Sequence, residues 1–282
     1  MNKVTIVTDS TAYLPQELID TLEITVVPLT VNWDGKTYRD GIDIQPDEFY
    51  ARLSKSDTLP TTSQSTVGDY TAVYDKLIRK ERDVLVLPIS SGISGSVNSA
   101  IQAKKQFPLS NIEVIDTKLV SMALGFQVLA AARAAAEGAS LADCTKIAKE
   151  AYDHIGVYFV VDTLKYLHAG GRIGGAKRFM GTALRIKPVL EIRDGKIEAV
   201  KSVITMNKAI EAMIELVEKD IAGRTPVRVS VFHALAEEHA KTLLETITAR
   251  FNATESILSY VSPVVGSHVG PGTLSIAYMA GM

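Results

Sequence analysis

Three stretches of this chain gather hydroxyl groups and small residues into short polar segments. They are Thr8-Asp9-Ser10, Thr61-Thr62-Ser63 and Ser90-Ser91-Gly92-Ile93-Ser94-Gly95. They offer neutral hydrogen-bonding groups and pliable backbone, with Asp9 their single charge. The third stretch lies between an apolar run and a helical pattern, so free backbone N–H groups and a helix dipole converge on one point. Such a point suits an anion, either a phosphate or a carboxylate. The same residues also suit a plain tight turn. The loop has no Gly-Lys-Ser/Thr and is therefore not a Walker A site, and it lacks the three-glycine spacing of dinucleotide loops. Ser94 as a nucleophile with His268 as its base is a further reading. Against it, Gly92-Ile93-Ser94-Gly95 is one residue short of the Gly-x-Ser-x-Gly elbow.

His268 sits in Gly266-Ser267-His268-Val269-Gly270-Pro271-Gly272, which predicts a loop whose backbone can approach a ligand closely. A turn histidine bonded to its own backbone is the alternative. The other histidines, at 154, 168, 233 and 239, are dispersed, and none forms a His-x-x-x-His pair. Arg172 stands on the glycine-rich bend Gly170–Gly175, and with Lys177, Arg178, Arg185 and Lys187 it makes this stretch basic. That is either a solvated face or a docking patch for an acidic or phosphorylated partner.

The elements that must position these groups alternate in type. Apolar runs at Val4–Val7, Ile24–Trp33, Val84–Ile89 and Ile112–Ile115 read as strands. Helices are expected from Pro15, over Pro46–Leu53, Val67–Arg79, Val97–Phe107, Ser121–Ala136 and Leu141–His154. This alternation argues for a three-layer α/β/α domain with a parallel sheet, whose ligands sit beyond the carboxyl ends of the strands. From Gly156–Val161 onward the pattern changes. Asp194-Gly195 marks a hairpin, followed by helix Lys208–Asp220, strand Val227–Phe232, helix Ala236–Phe251 and two closing strands. A mixed-sheet α/β domain is expected there, with the division placed at 1–160 and 161–282.

The 282 residues, 46% hydrophobic and 22% charged, support two folded domains. A formal charge of −2 argues against a nucleic-acid binder and against adhesion to an anionic membrane. The single cysteine, Cys144, allows no internal disulfide and reads as a small buried helix residue. No apolar run reaches the roughly 20 residues of a membrane span, and Met1-Asn2-Lys3-Val4 opens without a secretory leader. A cytoplasmic protein is expected.

Six segments in order resemble the DegV family over essentially the whole chain. They are Thr8-Asp9-Ser10, Pro60-Thr61-Thr62-Ser63-Gln64, Ser91–Ser96, Leu164-x-x-Leu167-x-x-Gly170-Gly171-Arg172-Ile173, Lys187-Pro188 and His268-x-Gly270-Pro271-Gly272. The resemblance implies two α/β domains holding one long-chain fatty acid between them, in a non-catalytic subunit of a bacterial fatty acid kinase. It further implies a partner kinase that phosphorylates the carried acid for phospholipid synthesis, no cofactor or metal, and only transient membrane contact for lipid exchange. Carried onto this sequence, Thr62, Ser94, Gly95 and His268 hold the carboxylate, and Arg172 serves kinase docking. Asp9, Ser10, Thr61, Ser63, Gly92 and Gly270 are possible additions to the head-group loops. Ala169 stands where many relatives carry Lys or Arg, and Val269 replaces a frequent Thr. Neutral donors suit the role, since a bidentate arginine would neutralise a carboxylate that must attack. Segments such as Met122–Ala132 and Phe179–Ile186 are as fit for a tunnel wall as for an ordinary core. A Ser/His-dependent hydrolase and a small phosphometabolite-binding protein are the competing functions.

Overall fold

The computed structural model describes residues 3–181 and 186–282; Arg185, Met1, Asn2 and part of the Phe179–Ile186 segment lie outside them. The first half of the chain runs β1 (Val4–Asp9), α1 (Gln16–Thr21), β2 (Thr25–Val27), β3 (Thr30–Trp33), β4 (Lys36–Arg39), α2 (Pro46–Leu53), β5 (Thr61–Ser63), α3 (Val67–Ile78), β6 (Asp83–Leu87), α4 (Ser96–Lys104), β7 (Ile112–Val114), α5 (Ser121–Ala136) and α6 (Leu141–Ala151). Strands β2-β1-β6-β7 form a parallel sheet. Every residue of β1 is buried, as befits a central strand covered on both faces.

The second half runs β8 (Ile155–Val160), α7 (Lys165–Ala169), β9 (Lys187–Arg193), β10 (Lys196–Val203), α8 (Met206–Ile221), β11 (Val227–His233), α9 (Glu237–Arg250), β12 (Glu255–Tyr260), α10 (Pro263–Val269) and β13 (Leu274–Ala280). Its six-stranded mixed sheet has the order β10-β9-β8-β13-β11-β12, antiparallel except for the β11–β12 pair. The chain is thus a two-domain α/β protein, with a parallel sheet first and a mixed sheet second.

Helix α5 explains how the two sheets share one core. Twelve of its sixteen residues are buried, all round the helix, which marks an interior helix and not an amphipathic surface one. It packs against β1 on one side and against β8 and β13 on the other. The largest apolar cluster accordingly takes residues from both sheets and from α5. Smaller clusters seal the outer faces, under α3 and α4 for the first sheet and under α8 and α9 for the second. Cys144 is buried in α6, as expected.

Three local expectations need correction. Ile24–Trp33 is not one strand: it breaks at Pro28-Leu29, and its second part joins a separate antiparallel sheet, β4-β3-β5. Thr61–Ser63 is not a loop but the edge strand β5, paired to β3 through Val31 and Thr62. His268 is not on a loop either. It lies in the last turn of α10, which the Ser262 hydroxyl caps by accepting from the Val265 amide, with Pro263 opening the helix.

Candidate functional site

A cavity of about 430 Å³ lies between the two domains. Strand alternation supplies its apolar wall: Val157 and Phe159 of β8 face it, while Tyr158 and Val160 turn to the outer core. Phe232 extends that wall from the second sheet, and Leu29, Ile89 and Val120 close it from the loops of the first domain. Met122–Ala132 contribute nothing to the wall; they are core of α5.

Thr62, Ser94, Arg172 and His268 all line this cavity. Strand β5 aims Thr62 inward, and its hydroxyl meets His268 Nε2 at 2.7 Å. The imidazole fits because Gly170 has no side chain: a Cβ there would lie 2.1 Å from His268 Nδ1. Burial, helped by the nearby Arg172 charge, lowers the His268 pKa to about 4, so the ring is neutral near pH 7. Its Nδ1 is buried with no partner among the described residues. A general base must become cationic and is ordinarily steadied by a carboxylate on its far nitrogen. Here an arginine stands nearby instead, so His268 is built to hydrogen-bond and not to accept a proton.

Ser94 belongs to the loop after β6. Its hydroxyl lies 3.1 Å from the Ser96 hydroxyl and accepts from the Ser96 amide at 3.3 Å, at the start of α4. It has no bond to His268, whose Nε2 is engaged by Thr62, so the nucleophile–base pair of the hydrolase reading is not formed. Gly95 is the residue before α4. A Cβ there would lie 2.0 Å from Gln64 Oε1, so the glycine lets the Gln64 carboxamide cross the helix start and donate to Ser99 Oγ at 2.9 Å. Gln64, which also lines the cavity, was visible in sequence only as the last residue of the Pro60–Gln64 run.

Arg172 is folded back on the protein. Its Nη1 donates to the Gly170 carbonyl at 2.8 Å and its Nε to the Ile93 carbonyl at 3.2 Å, bridging the two domains. It lines both the cavity and a shallower cleft shared with Ser91–Gly95, Gly171, Gly174 and Lys196. The rest of the basic stretch is partly engaged inside the molecule: Arg178 donates to the Ala199 and Val200 carbonyls, and Lys187 pairs with Asp162. Val269 lies in the cavity wall, where its apolar side chain belongs, and Ala169 is exposed at the end of α7.

The remaining candidates separate. Ser63 reaches the cavity edge, while Thr61 is exposed and does not line it. Asp9 and Ser10 border a different cleft beside Tyr13 and Tyr260. Asp9 is buried and accepts from the Thr11 hydroxyl, the Thr11 amide and the Ile89 amide, the last at 2.7 Å. It therefore pins the start of the Ser90–Ser96 loop. Ser10 donates to Asp40 at 2.8 Å and accepts from the Leu29 amide. Burial raises Asp9 to about 6 and Asp40 to about 7. Gly92 and Gly270 are steric accommodations. A Cβ on Gly92 would lie 2.4 Å from the Gly195 carbonyl oxygen, and one on Gly270 would lie 2.3 Å from the Tyr166 ring.

Fold and site together define a two-domain α/β protein with an apolar chamber between its sheets and a neutral, hydroxyl-rich polar end. The DegV family model (uncharacterised protein, DegV family) matches residues 3–281. The protein DegV of Bacillus subtilis is 35% identical over 276 residues, 98% of each chain. The chain belongs to the DegV family. Among solved structures it is similar to a fatty-acid-binding DegV family protein from Thermus thermophilus, with 35% identity, a TM-score of 0.94 and 99% of each chain covered. It is also similar to DegV of Bacillus subtilis, a fatty acid binding protein, with 35% identity, a TM-score of 0.90 and 99% and 100% of the two chains covered. A stearic-acid-binding protein from Eubacterium ventriosum shares 27% identity with a TM-score of 0.92, over 100% of this chain and 99% of that one.

Proposed function

We propose that this chain binds one long-chain fatty acid in the cavity between its domains and presents the carboxylate for phosphorylation by a partner fatty acid kinase. The observation that carries this reading is the meeting of an apolar chamber with Thr62, Ser94 and a neutral His268 at one end. Each buried CH₂ of a ligand contributes about 0.8 kcal/mol, so the hydrocarbon chain supplies affinity. The hydroxyls orient the head group without cancelling its charge. Arg172 and the cleft outside Ser94 supply the surface on which a kinase would dock. The chain itself is non-catalytic in this reading, because His268, which shares the cavity with Ser94, is held neutral and bonded to Thr62 instead. It acts as a cytoplasmic carrier, touching membranes only to exchange lipid; no described helix is long and apolar enough to cross one.

The test is mass spectrometry of the ligand released on denaturing the purified protein. Stoichiometric long-chain fatty acid is expected, with its retention weakened by Ser94→Ala and Thr62→Ala. A protein that arrives empty and takes up no added fatty acid refutes the reading. For the kinase step, Arg172→Ala is expected to slow acyl-phosphate formation more than it weakens lipid retention; unchanged formation removes Arg172 from that step.

A further inference from the structure

Ser90 is fully buried and does not line the cavity, yet it fixes the loop that does. Its amide donates to the Leu119 carbonyl at 2.9 Å, and its carbonyl accepts from the Ile93 and Ser94 amides at 3.1 and 3.0 Å. The last two bonds close the turn on which Ser94 stands. Among the described residues the Ser94 hydroxyl meets only Ser96, two positions along the chain. The turn, and not a distant partner, therefore sets where that hydroxyl points.

The Ser90 hydroxyl reaches the other way. It accepts from the Gly92 amide at 3.1 Å and donates to the Gly195 carbonyl of the second domain at 2.8 Å. Gly195 is at the tip of the β9–β10 hairpin, whose Ile192 and Ile197 line the cavity. The fit at the tip is close. A Cβ on Gly92 would lie 2.4 Å from the Gly195 carbonyl oxygen, and one on Gly195 would lie 2.5 Å from Ser90 Oγ. Ser91, by contrast, bonds Asp116 within its own domain. Among the hydroxyls of the Ser90–Ser96 loop, Ser90 is thus the one that ties the Ser94 turn to the second domain.

We propose that Ser90 is a positioning residue for the head-group site: the hairpin tip seated on its hydroxyl fixes the turn that aims Ser94 at the carboxylate. Closing the domains and gripping the head group are then one event, because the hairpin that seats on Ser90 also carries part of the cavity wall. The proposal rests on the fatty-acid reading and adds to it the residue that couples the domain contact to ligand capture.

The test measures affinities of delipidated full-length protein for myristic acid and for myristyl alcohol, which share a chain and differ in head group. Ser90→Ala should cut the preference for the acid about tenfold, the worth of one buried hydrogen bond, and should leave alcohol binding close to wild type. Ser94→Ala should do the same, and the double variant should lose no more than either single one. Gly195→Ala, which crowds the same contact from the second domain, should also lower the preference. Equal weakening of both ligands by Ser90→Ala would mark it as a structural residue only and overturn the proposal. So would an unchanged preference in both Ser90→Ala and Gly195→Ala, or full additivity with Ser94→Ala; each of these leaves fatty-acid binding standing. Wild-type protein that binds neither ligand removes the fatty-acid reading as well.

Discussion

The Thr8–Ser10 strand end and the Thr61–Ser63 strand carry nearly the same side chains, yet one is sealed inside the protein and the other opens on its chamber. Asp9 ends a central strand and is consumed by three nearby donors, while Ser10 is held between Asp40 and the Leu29 amide. Thr62 sits on an edge strand, and its hydroxyl has one partner, brought from α10 on the far side of the sequence. Composition marks both as polar segments. What separates a pin from a binding group is how many local backbone groups claim its oxygens.

The largest effect should come from breaking the pin. Asp9→Ala strips the Ile89 and Thr11 amides of their acceptor in a buried setting, and should lower stability by about 3 kcal/mol in calorimetry. A melting temperature equal to wild type would show that the loop after β6 does not depend on it. A pH series sharpens the same contrast. Burial raises Asp9 to about 6 and Asp40 to about 7, from the 3.8 of a free aspartate. Between those values the folded chain holds protons the unfolded chain has lost, so stability falls as pH rises through the window. Ligand-free Asp40→Asn should therefore be about 2 kcal/mol more stable than wild type near about pH 8, with the advantage vanishing as pH falls below about 4. An advantage that is larger in acid would reverse the assignment. His268 acts with the opposite sign, since its pKa is lowered to about 4. Its contribution is present above the ordinary histidine range and is lost as pH falls through about 4.

On the binding side of the comparison, Thr62→Val keeps the branched shape that suits β5 and removes only the hydroxyl. It should weaken fatty-acid affinity about tenfold while shifting ligand-free stability by less than about 0.5 kcal/mol. A stability loss as large as that of Asp9→Ala would place Thr62 among the pins. The smallest expected effect is spectroscopic. Arg172→Ala removes the lesser of the two causes that depress His268, so the imidazole should titrate higher by NMR yet still below the 6.5 of a free histidine. A titration that does not move would mean that the two groups are not electrostatically linked.

Much of this arrangement was legible from local pattern. The Asp194-Gly195 turn was read from two residues, because a left-handed pair leaves few alternatives; φ is 48° and 79° there, and 48° and 74° in the matching Asp34-Gly35 turn of the first domain. The alternation of strands and helices announced the parallel sheet for a similar reason. Strand β5 was missed because three hydroxyl residues in a row carry no apolar period, and their pairing with β3 lies about thirty residues back in the chain. Helix α10 was missed although its start was visible as Ser262-Pro263; the surrounding glycines spoke louder than the cap. The six resemblance segments brought Thr62, Ser94, Arg172 and His268 together, which spacing alone could not do.

The two Asp-Gly hairpins also differ in how open they are to evolutionary change. A Cβ on Gly35 would meet nothing within 4 Å, so that tip is the usual kind of site where a chain tolerates inserted residues. Gly195 is seated against the first domain: its carbonyl accepts from Ser90 Oγ at 2.8 Å, and a Cβ on it would lie 2.5 Å from that same oxygen. A tag or graft spliced at Asp34-Gly35 would hang in solvent, whereas one spliced at Asp194-Gly195 would wedge the domains apart beside the serine loop.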